Sequence, residues 1–477
     1  LINNISNGRA LLGAGMSRLS YNVSNVNNQS IATKASASSI EDLTHDGSGV
    51  GKIDGYPFFI PNTLPGEKVT AKIIKLNKNY GFARMENIET VSANRVEPPC
   101  AVYSKCGGCS LQHLSYDGQL EFKRNQVEET MKRIGKLNVE VPETLGMENP
   151  WRYRNKSQVP VGFVNGKLTA GFYQKRSHAI IDMSTCLIHN EQGDFAVQKT
   201  REILAKYGTE PYDEQTGKGD IRHIMTRFAH TTGQLMIVLV TTKERMPFKE
   251  EIVRDLVEQL ELTSIVQNIN PHKTNVIFGD RTKTLWGKDI IEDTIHGIRF
   301  AISARSFYQV NPLQTEVLYQ QAIDAAELTG EETVIDAYCG IGSISLCLAK
   351  KAKHVYGVEI VDQAIQDARA NAELNELANT TFETGKAEEV IPSWYKAGIV
   401  ADVLVVDPPR KGCDEKLLET ILAMKPKKVV YVSCNPGTLA RDMKILTDGG
   451  YVAKKVQPVD MFPMTTHIEA VTVLHLN

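Results

Sequence analysis

The residues with most chemistry in them are a thiol and a carboxylate near the C-terminus. Ser433-Cys434-Asn435-Pro436 follows the apolar run KKVVYV, and His467-Ile468-Glu469 opens the last one, AVTVLHL. If the final strand runs antiparallel beside the strand that ends at Cys434, thiol and carboxylate face one pocket. That pairing suits methylation of a pyrimidine carbon. C5 of uracil is a poor nucleophile until something adds across the ring; thiolate addition at C6 creates an enolate whose C5 can attack a sulfonium methyl in line. A base must then remove the C5 proton so that the thiol can be expelled, and Glu469 is the candidate, helped by any desolvation that raises its pKa. Cys434 is the candidate nucleophile. Cys339, Cys347 and Cys413 read instead as small apolar filler.

A methyl donor needs a crevice, and open α/β sheets bind ligands outside the carboxyl ends of their strands. The first such end is Asp336-Ala337-Tyr338-Cys339-Gly340-Ile341-Gly342. A third glycine would complete a dinucleotide fingerprint, but Ser345 stands in its place, so a nucleoside without phosphates fits better. Glu359 ends the second strand, where an acid can accept hydrogen bonds from both ribose hydroxyls. Asp407-Pro408-Pro409-Arg410 ends the fourth, with proline fixing the backbone and Asp407 aimed into the crevice.

The elements that must position these groups follow from the pattern beyond Thr333: ETVIDAYCG, HVYGVEI, ADVLVVDPP and KKVVYVSCN alternate with helices, and VAKKVQPV with HIEAVTVLHL closes the sheet. The expectation is an α/β fold. Between residues 99 and 300 the chain is mixed α+β, with Leu120, Val127, Met131 and Ile134 on one helix face. From 40 to 98, short strands at Tyr56–Ile60, Lys68–Leu76 and Tyr80–Asn87, punctuated by glycine and proline, predict a small β-barrel. Lys72, Lys75, Lys78 and Arg84, with Tyr80 and Phe82, give it charge and stacking faces for nucleic acid. Trp151-Arg152-Tyr153-Arg154-Asn155-Lys156 interleaves aromatics and cations in the same way, or packs as a strand of the central domain.

At 477 residues several domains are expected, and a net charge of -2 means that any RNA site is a local basic patch. No apolar run nears the roughly 20 residues of a membrane helix, and no secretory signal is visible. A cytoplasmic, monomeric protein is expected. Eight cysteines are too few for a disulfide scaffold, and Cys100, Cys106 and Cys109 lie together, with Cys186 able to complete four soft ligands. Such a set suits tetrahedral zinc or a [4Fe-4S] cluster.

Taken together, CGGCSLQHLSYDGQLEFKRNQV, WRYRNKSQ, SFYQVNP, DAYCGIGSISL, GVEIV, DPPRKG, SCNPGTLARD and HIEAV resemble the RNA (uracil-5-)-methyltransferases, over residues 40 to 477. The resemblance is to the ribosomal branch, which carries a TRAM domain and an iron–sulfur cluster. It implies a Rossmann-like class I methyltransferase domain at 301–477, a central domain at 99–300 and an OB-like TRAM barrel at 40–98. It further implies that Gln309, Tyr338, Glu359 and Asp407 contact S-adenosylmethionine, that Cys434 is the nucleophile and Glu469 the proton acceptor. Cys100, Cys106, Cys109 and Cys186 would hold a [4Fe-4S] cluster, and the substrate would be 23S rRNA, with the T-loop of tRNA as the alternative. Residues 13–42 resemble the C-terminal helix of bacterial flagellins, so residues 1–39 read as an appended, dispensable segment. It stands where the barrel family has its first strand, which predicts an unpaired barrel edge.

Overall fold

The computed structural model describes residues 35–53 and 55–477. The short helix expected around Met16–Val26 lies outside the described residues. Two compact units form, one ending at Arg95 and including residues 274–276, the other holding the rest.

The first unit is a closed five-stranded barrel of β1 (Ala35–Leu43), β2 (Gly49–Ile53), β3 (Tyr56–Ile60), β4 (Lys68–Leu76) and β5 (Gly81–Thr90), in the order β1-β2-β3-β5-β4. Alternating residues Ile53, Phe58, Ile60, Val69, Ala71, Ile73 and Ala83 fill it. Gly81 is required where β5 crosses β3, because a Cβ there would sit 2.3 Å from the Phe58 ring. The expected open edge does not exist. β1 supplies the first strand, and all of its pairing with β4 comes from residues 35–39, in register from Ala35↔Lys72 to Ser39↔Lys68. The sequence ASASS conceals this strand because backbone pairing on both sides holds it, in place of an apolar alternation.

The second unit has two sheets and a hairpin. Its central sheet has the order β11-β10-β9-β8-β6-β7, from β6 (Lys156–Val164), β7 (Lys167–Ala170), β8 (Ile221–Phe228), β9 (Leu235–Thr241), β10 (Ser264–Ile269) and β11 (Arg281–Gly287). Helices α2 (Glu191–Lys206) and α3 (Lys249–Gln259) cover one face over an aliphatic core. Before it comes α1 (Tyr116–Thr130), capped by Ser115 and running into a single π turn, Met131–Gly135. That turn shifts the helical register, so Ile134, expected on the buried face with Val127 and Met131, is 55% exposed. The face instead buries Gln119 and Lys123. A hairpin of β12 (Ile290–Ile295) and β13 (Ile298–Ser303) leads into α4 (Pro312–Ala326).

The large sheet has the order β16-β15-β14-β17-β18-β20-β19. Its strands are β14 (Thr333–Ala337), β15 (His354–Glu359), β16 (Thr380–Thr384), β17 (Val403–Val406), β18 (Lys428–Ser433), β19 (Tyr451–Val459) and β20 (Glu469–Leu476). The first five are parallel, linked through α5 (Ser343–Ala349), α6 (Asp362–Leu374), α7 (Ala387–Lys396) and α8 (Glu415–Met424); α9 (Pro436–Asp448) follows β18. β20 is antiparallel to both neighbours and inserts between β18 and β19. Fully buried runs such as Val403–Val406 mark a sheet covered on both faces. Among the described residues no helix is long and apolar enough to cross a membrane.

Removing residues 1–34 should leave the barrel's unfolding midpoint unchanged, whereas removing 1–39 strips every β1–β4 pair. We expect the longer truncation to lower that midpoint by at least about 4–8 °C, the shift for about 1 kcal/mol in a domain this small. Equal melting of the two truncations in calorimetry would contradict the strand assignment.

Candidate active site

Cys434 lies just past the end of β18, where Ser433 pairs with Ala470 across an antiparallel ladder. One step further along that ladder stands Glu469, so thiol and carboxylate meet at the sheet edge as the sequence predicted. Burial, and then the charges of Glu469 and Asp407, push the Cys434 thiol up to about 12, while Arg410 pulls it down. Glu469 is buried and raised well above the usual carboxylate range, first by desolvation and then by Asp407, again opposed by Arg410. The free site therefore keeps the thiol protonated near neutrality and disfavours ionisation of Glu469. The loop is pinned locally, with Ser433 Oγ donating to the Asn435 carbonyl and Asn435 Nδ2 donating to the Arg410 carbonyl.

Asp407 follows β17 in the DPPR turn, and burial raises it to about 7. It joins two halves of the site, because its charge also acts on Asp336 in β14. Asp336 is buried, raised to about 7, and accepts a hydrogen bond from Ser345 Oγ at 2.5 Å. The residue that breaks the dinucleotide fingerprint thus holds the acid at its base. Between them the chain takes three left-handed positions, Tyr338 (φ 70°), Gly340 (φ 56°) and Gly342 (φ 82°), which turn it sharply from β14 into α5. Tyr338 is half-buried and its phenol lies among Cys413, Asp414 and Glu388. Glu359 ends β15 and accepts from the Val361 amide at 3.0 Å, and its charge acts on Asp336 and Cys339. Gln309 lies in the loop before α4, anchored by Asn155 Nδ2 donating to its carbonyl at 2.9 Å; its own amide makes no hydrogen bond among the described residues. Cys339, Cys347 and Cys413 are buried filler, as expected.

Sequence reasoning missed Asp336 and Arg410, although both sit inside motifs it used. For Arg152 and Tyr153 the structure takes the second of the two sequence readings, packing within the central domain. That guanidinium donates to the Cys186 carbonyl at 2.7 Å and to Asp194 at 3.2 Å, and Tyr153 is buried with its hydroxyl on the Pro463 carbonyl. These two residues pack the central domain. Arg154 and Lys156 remain without an ion pair among the described residues. Lys156 faces Arg227 across the β6–β8 ladder, and burial with Arg227 and Arg154 lowers it to about 7.

The four cysteines are gathered but do not close a ligand shell. The Cys109 thiol, raised to about 11 by burial, feels Cys106 and Cys100, and Cys186 feels Cys109. Among the described residues, however, no three His, Cys, Asp or Glu side chains are arranged to hold a metal ion. The donor set is right for a thiophilic metal or cluster and the spacing is too open.

Five parallel strands, an antiparallel strand in the penultimate position, and these strand-end acids define a class I S-adenosylmethionine-dependent methyltransferase. The chain belongs to the family described as tRNA (uracil-5-)-methyltransferase, which matches residues 115–476, and is a SAM-dependent RNA (uracil-5-)-methyltransferase. A TRAM domain matches residues 39–85. The bacterial flagellin C-terminal helical region matches residues 1–45 only weakly. An uncharacterized RNA methyltransferase of Listeria monocytogenes is 99% identical over 438 residues, 92% of this chain and 97% of that protein. One from Halalkalibacterium halodurans is 59% identical over 92% of this chain and 96% of its own length. Among solved structures, the Pyrococcus abyssi tRNA (uracil-54, C5)-methyltransferase in complex with S-adenosyl-L-homocysteine is 28% identical. It covers 92% of this chain and all of its own, at a TM-score of 0.75.

With the thiol at about 12, the reactive thiolate is a minor species below that pH, and its fraction rises about tenfold per pH unit. The rate of adduct formation with RNA should climb accordingly between about pH 7 and about pH 9, and Arg410→Met should lower it throughout. A flat profile in a pH-jump trapping assay would show that the thiol is not held up.

Proposed function

We propose that this enzyme methylates C5 of a uridine in 23S rRNA through a covalent Cys434–C6 adduct. The observation that carries the chemistry is the register of β18 and β20, which sets Cys434 against Glu469 at the edge where strand ends form the cofactor crevice. Sulfur attacks C6 and the ring π electrons move toward O4. The enolate C5 takes the methyl from the sulfonium, whose electron pair departs with the thioether. Glu469 accepts the C5 proton, the C–H pair re-forms C5=C6, and sulfur leaves as thiolate. Before that last step Glu469 must be ionised, and proton loss from Cys434 and Glu469 together accounts for a site built around coupled raised acids.

Glu359 and Asp407 are read as holding the nucleoside, Tyr338 as lining its crevice, and Gln309, with its free amide, as reaching cofactor or base. Arg154, with no carboxylate partner among the described residues, and Lys156, whose charge burial and its cationic neighbours disfavour until an anion arrives, are the reading for phosphate contact in this unit. In the barrel, exposed Lys75, Lys78 and Arg84 flank Phe59, Tyr80 and Phe82, whose rings lie 5.3–5.8 Å apart, an arrangement suited to stacking on bases. Cys100, Cys106, Cys109 and Cys186 are proposed to close on a [4Fe-4S] cluster, which would order the segment around them and supply no electron to the methyl transfer. Protein purified without air should then be brown; colourless protein with stoichiometric zinc would replace the cluster.

Four cysteines and the barrel favour ribosomal RNA. The likeness to a tRNA (uracil-54, C5)-methyltransferase supports tRNA as the second reading. Incubation of wild type and Cys434→Ala with methyl-labelled S-adenosylmethionine and unmodified total RNA distinguishes them. We expect 5-methyluridine in large-subunit rRNA, reduced by at least about a thousandfold in the variant. Label in tRNA would keep the chemistry and change the substrate; equal label in the variant would end the adduct mechanism. Substituting Arg154 and Lys156 should weaken RNA binding and flatten its salt dependence.

A further inference from the structure

The connection between β19 and β20, residues 460–468, delivers Glu469 to Cys434, and it is held from several directions at once. Asp460 and Lys123 form an ion pair of 2.5 Å with both side chains fully buried. Tyr116 Oη donates to the other oxygen of Asp460 at 2.9 Å. Lys123 Nζ also donates to the Phe462 carbonyl at 3.1 Å, and Tyr153 Oη to that of Pro463 at 3.1 Å. From the cap of α4, Asn311 and Gln314 donate to the carbonyls of Met461 and Asp460, both at 3.0 Å.

The tightest grip is on Met464. Its φ of 66° is a left-handed position that a side chain disfavours, so surrounding contacts must enforce it. Gln119 Oε1 accepts from its amide at 2.9 Å, and the amides of Ser110 and Leu111 donate to its carbonyl at 2.9 and 3.0 Å. Gln119 Nε2 in turn donates to the carbonyls of Leu111 and Leu114, so one buried side chain ties the cysteine segment and the turn together. Met464 also packs with Tyr153 and Ile188, against Cys109, Cys186 and Tyr116. By contrast, the hydrogen bonds that fix the Cys434 loop come from residues 433–438 and Arg410, and Asp407 follows β17. Among the described residues no hydrogen bond or ion pair joins Tyr116, Gln119 or Lys123 to these groups.

We propose that Tyr116, Gln119 and Lys123 are positioning residues for proton abstraction: they clasp the Asp460–Met464 turn and thereby set Glu469 over C5 of the bound uracil. The proposal rests on Glu469 being the base. Its consequence is specific to one step. Loosening the turn leaves sulfur addition at C6 and methyl transfer intact, because Cys434 and the strand ends are held separately. Removal of the C5 proton, and with it re-formation of C5=C6 and expulsion of the thiolate, slows.

The test compares Gln119→Leu, Tyr116→Phe and Glu469→Gln in the full chain, with substrate RNA and methyl-labelled S-adenosylmethionine. For the first two we expect kcat to fall by about tenfold or more with KM for RNA unchanged, and a denaturation-resistant protein–RNA adduct carrying the labelled methyl to accumulate. Tyr116→Phe deletes one hydroxyl and keeps the packing, so it reads the clasp even if Gln119→Leu folds poorly. Loss of adduct and turnover in parallel, alongside a lowered melting temperature, would reduce these residues to ordinary structural ones. Wild-type turnover in both variants would also overturn the clasp. If Glu469→Gln traps the methylated adduct and the clasp variants do not, the base assignment stands and the clasp fails; if Glu469→Gln turns over normally, the base assignment itself is wrong.

Discussion

The insertion of one antiparallel strand into an otherwise parallel sheet is the constraint on which the catalytic site depends. A parallel strand beside β18 would bring its own carboxyl end to the cofactor edge. β20 instead brings its first residue, and the register that pairs Ser433 with Ala470 leaves Cys434 and Glu469 as the next facing positions. Because facing positions across a ladder share a side of the sheet, the ladder brings thiol and carboxylate to one side, and the 460–468 connection fixes where Glu469 stands on it. A one-residue slip would send Glu469 to the opposite face, and the buried run Glu469–Thr472 resists that slip by packing on both sides.

The second feature is a shortage of positive charge where negative charge gathers. Asp336, Asp407, Glu469 and Cys434 lie in a chain of mutual repulsion, relieved inside the site chiefly by Arg410, which is exposed. A sulfonium entering such a crevice brings the missing cation with it.

The sequence made the large sheet legible because its strands are continuous apolar runs ending in recognisable turns. β16 was passed over for the opposite reason: TTFET is an edge strand with one buried residue, Phe382. The N-terminal barrel strand was hidden by its Ser/Ala composition. Cys434, Glu469, Glu359 and Asp407 were readable because each ends or begins a strand, so topology alone places them. Arg152 was left between two readings because its environment is set by Asp194 and the Cys186 segment, more than thirty residues away. No local pattern distinguishes a solvated arginine from one that ties down a backbone. Burial of Lys123 was equally invisible, since its partner Asp460 lies 337 residues further along.

That separation has a consequence for how the molecule is made. Helix α1 carries a lysine whose only carboxylate partner in the described residues is synthesised 337 residues later. Until then the ammonium group has water as its partner and the α1 face cannot be covered. Contacts of such long sequence separation form slowly, since the loop entropy must be overcome before they are made. The turn that carries Glu469 is therefore seated on α1 only after every parallel strand of the large sheet has been made.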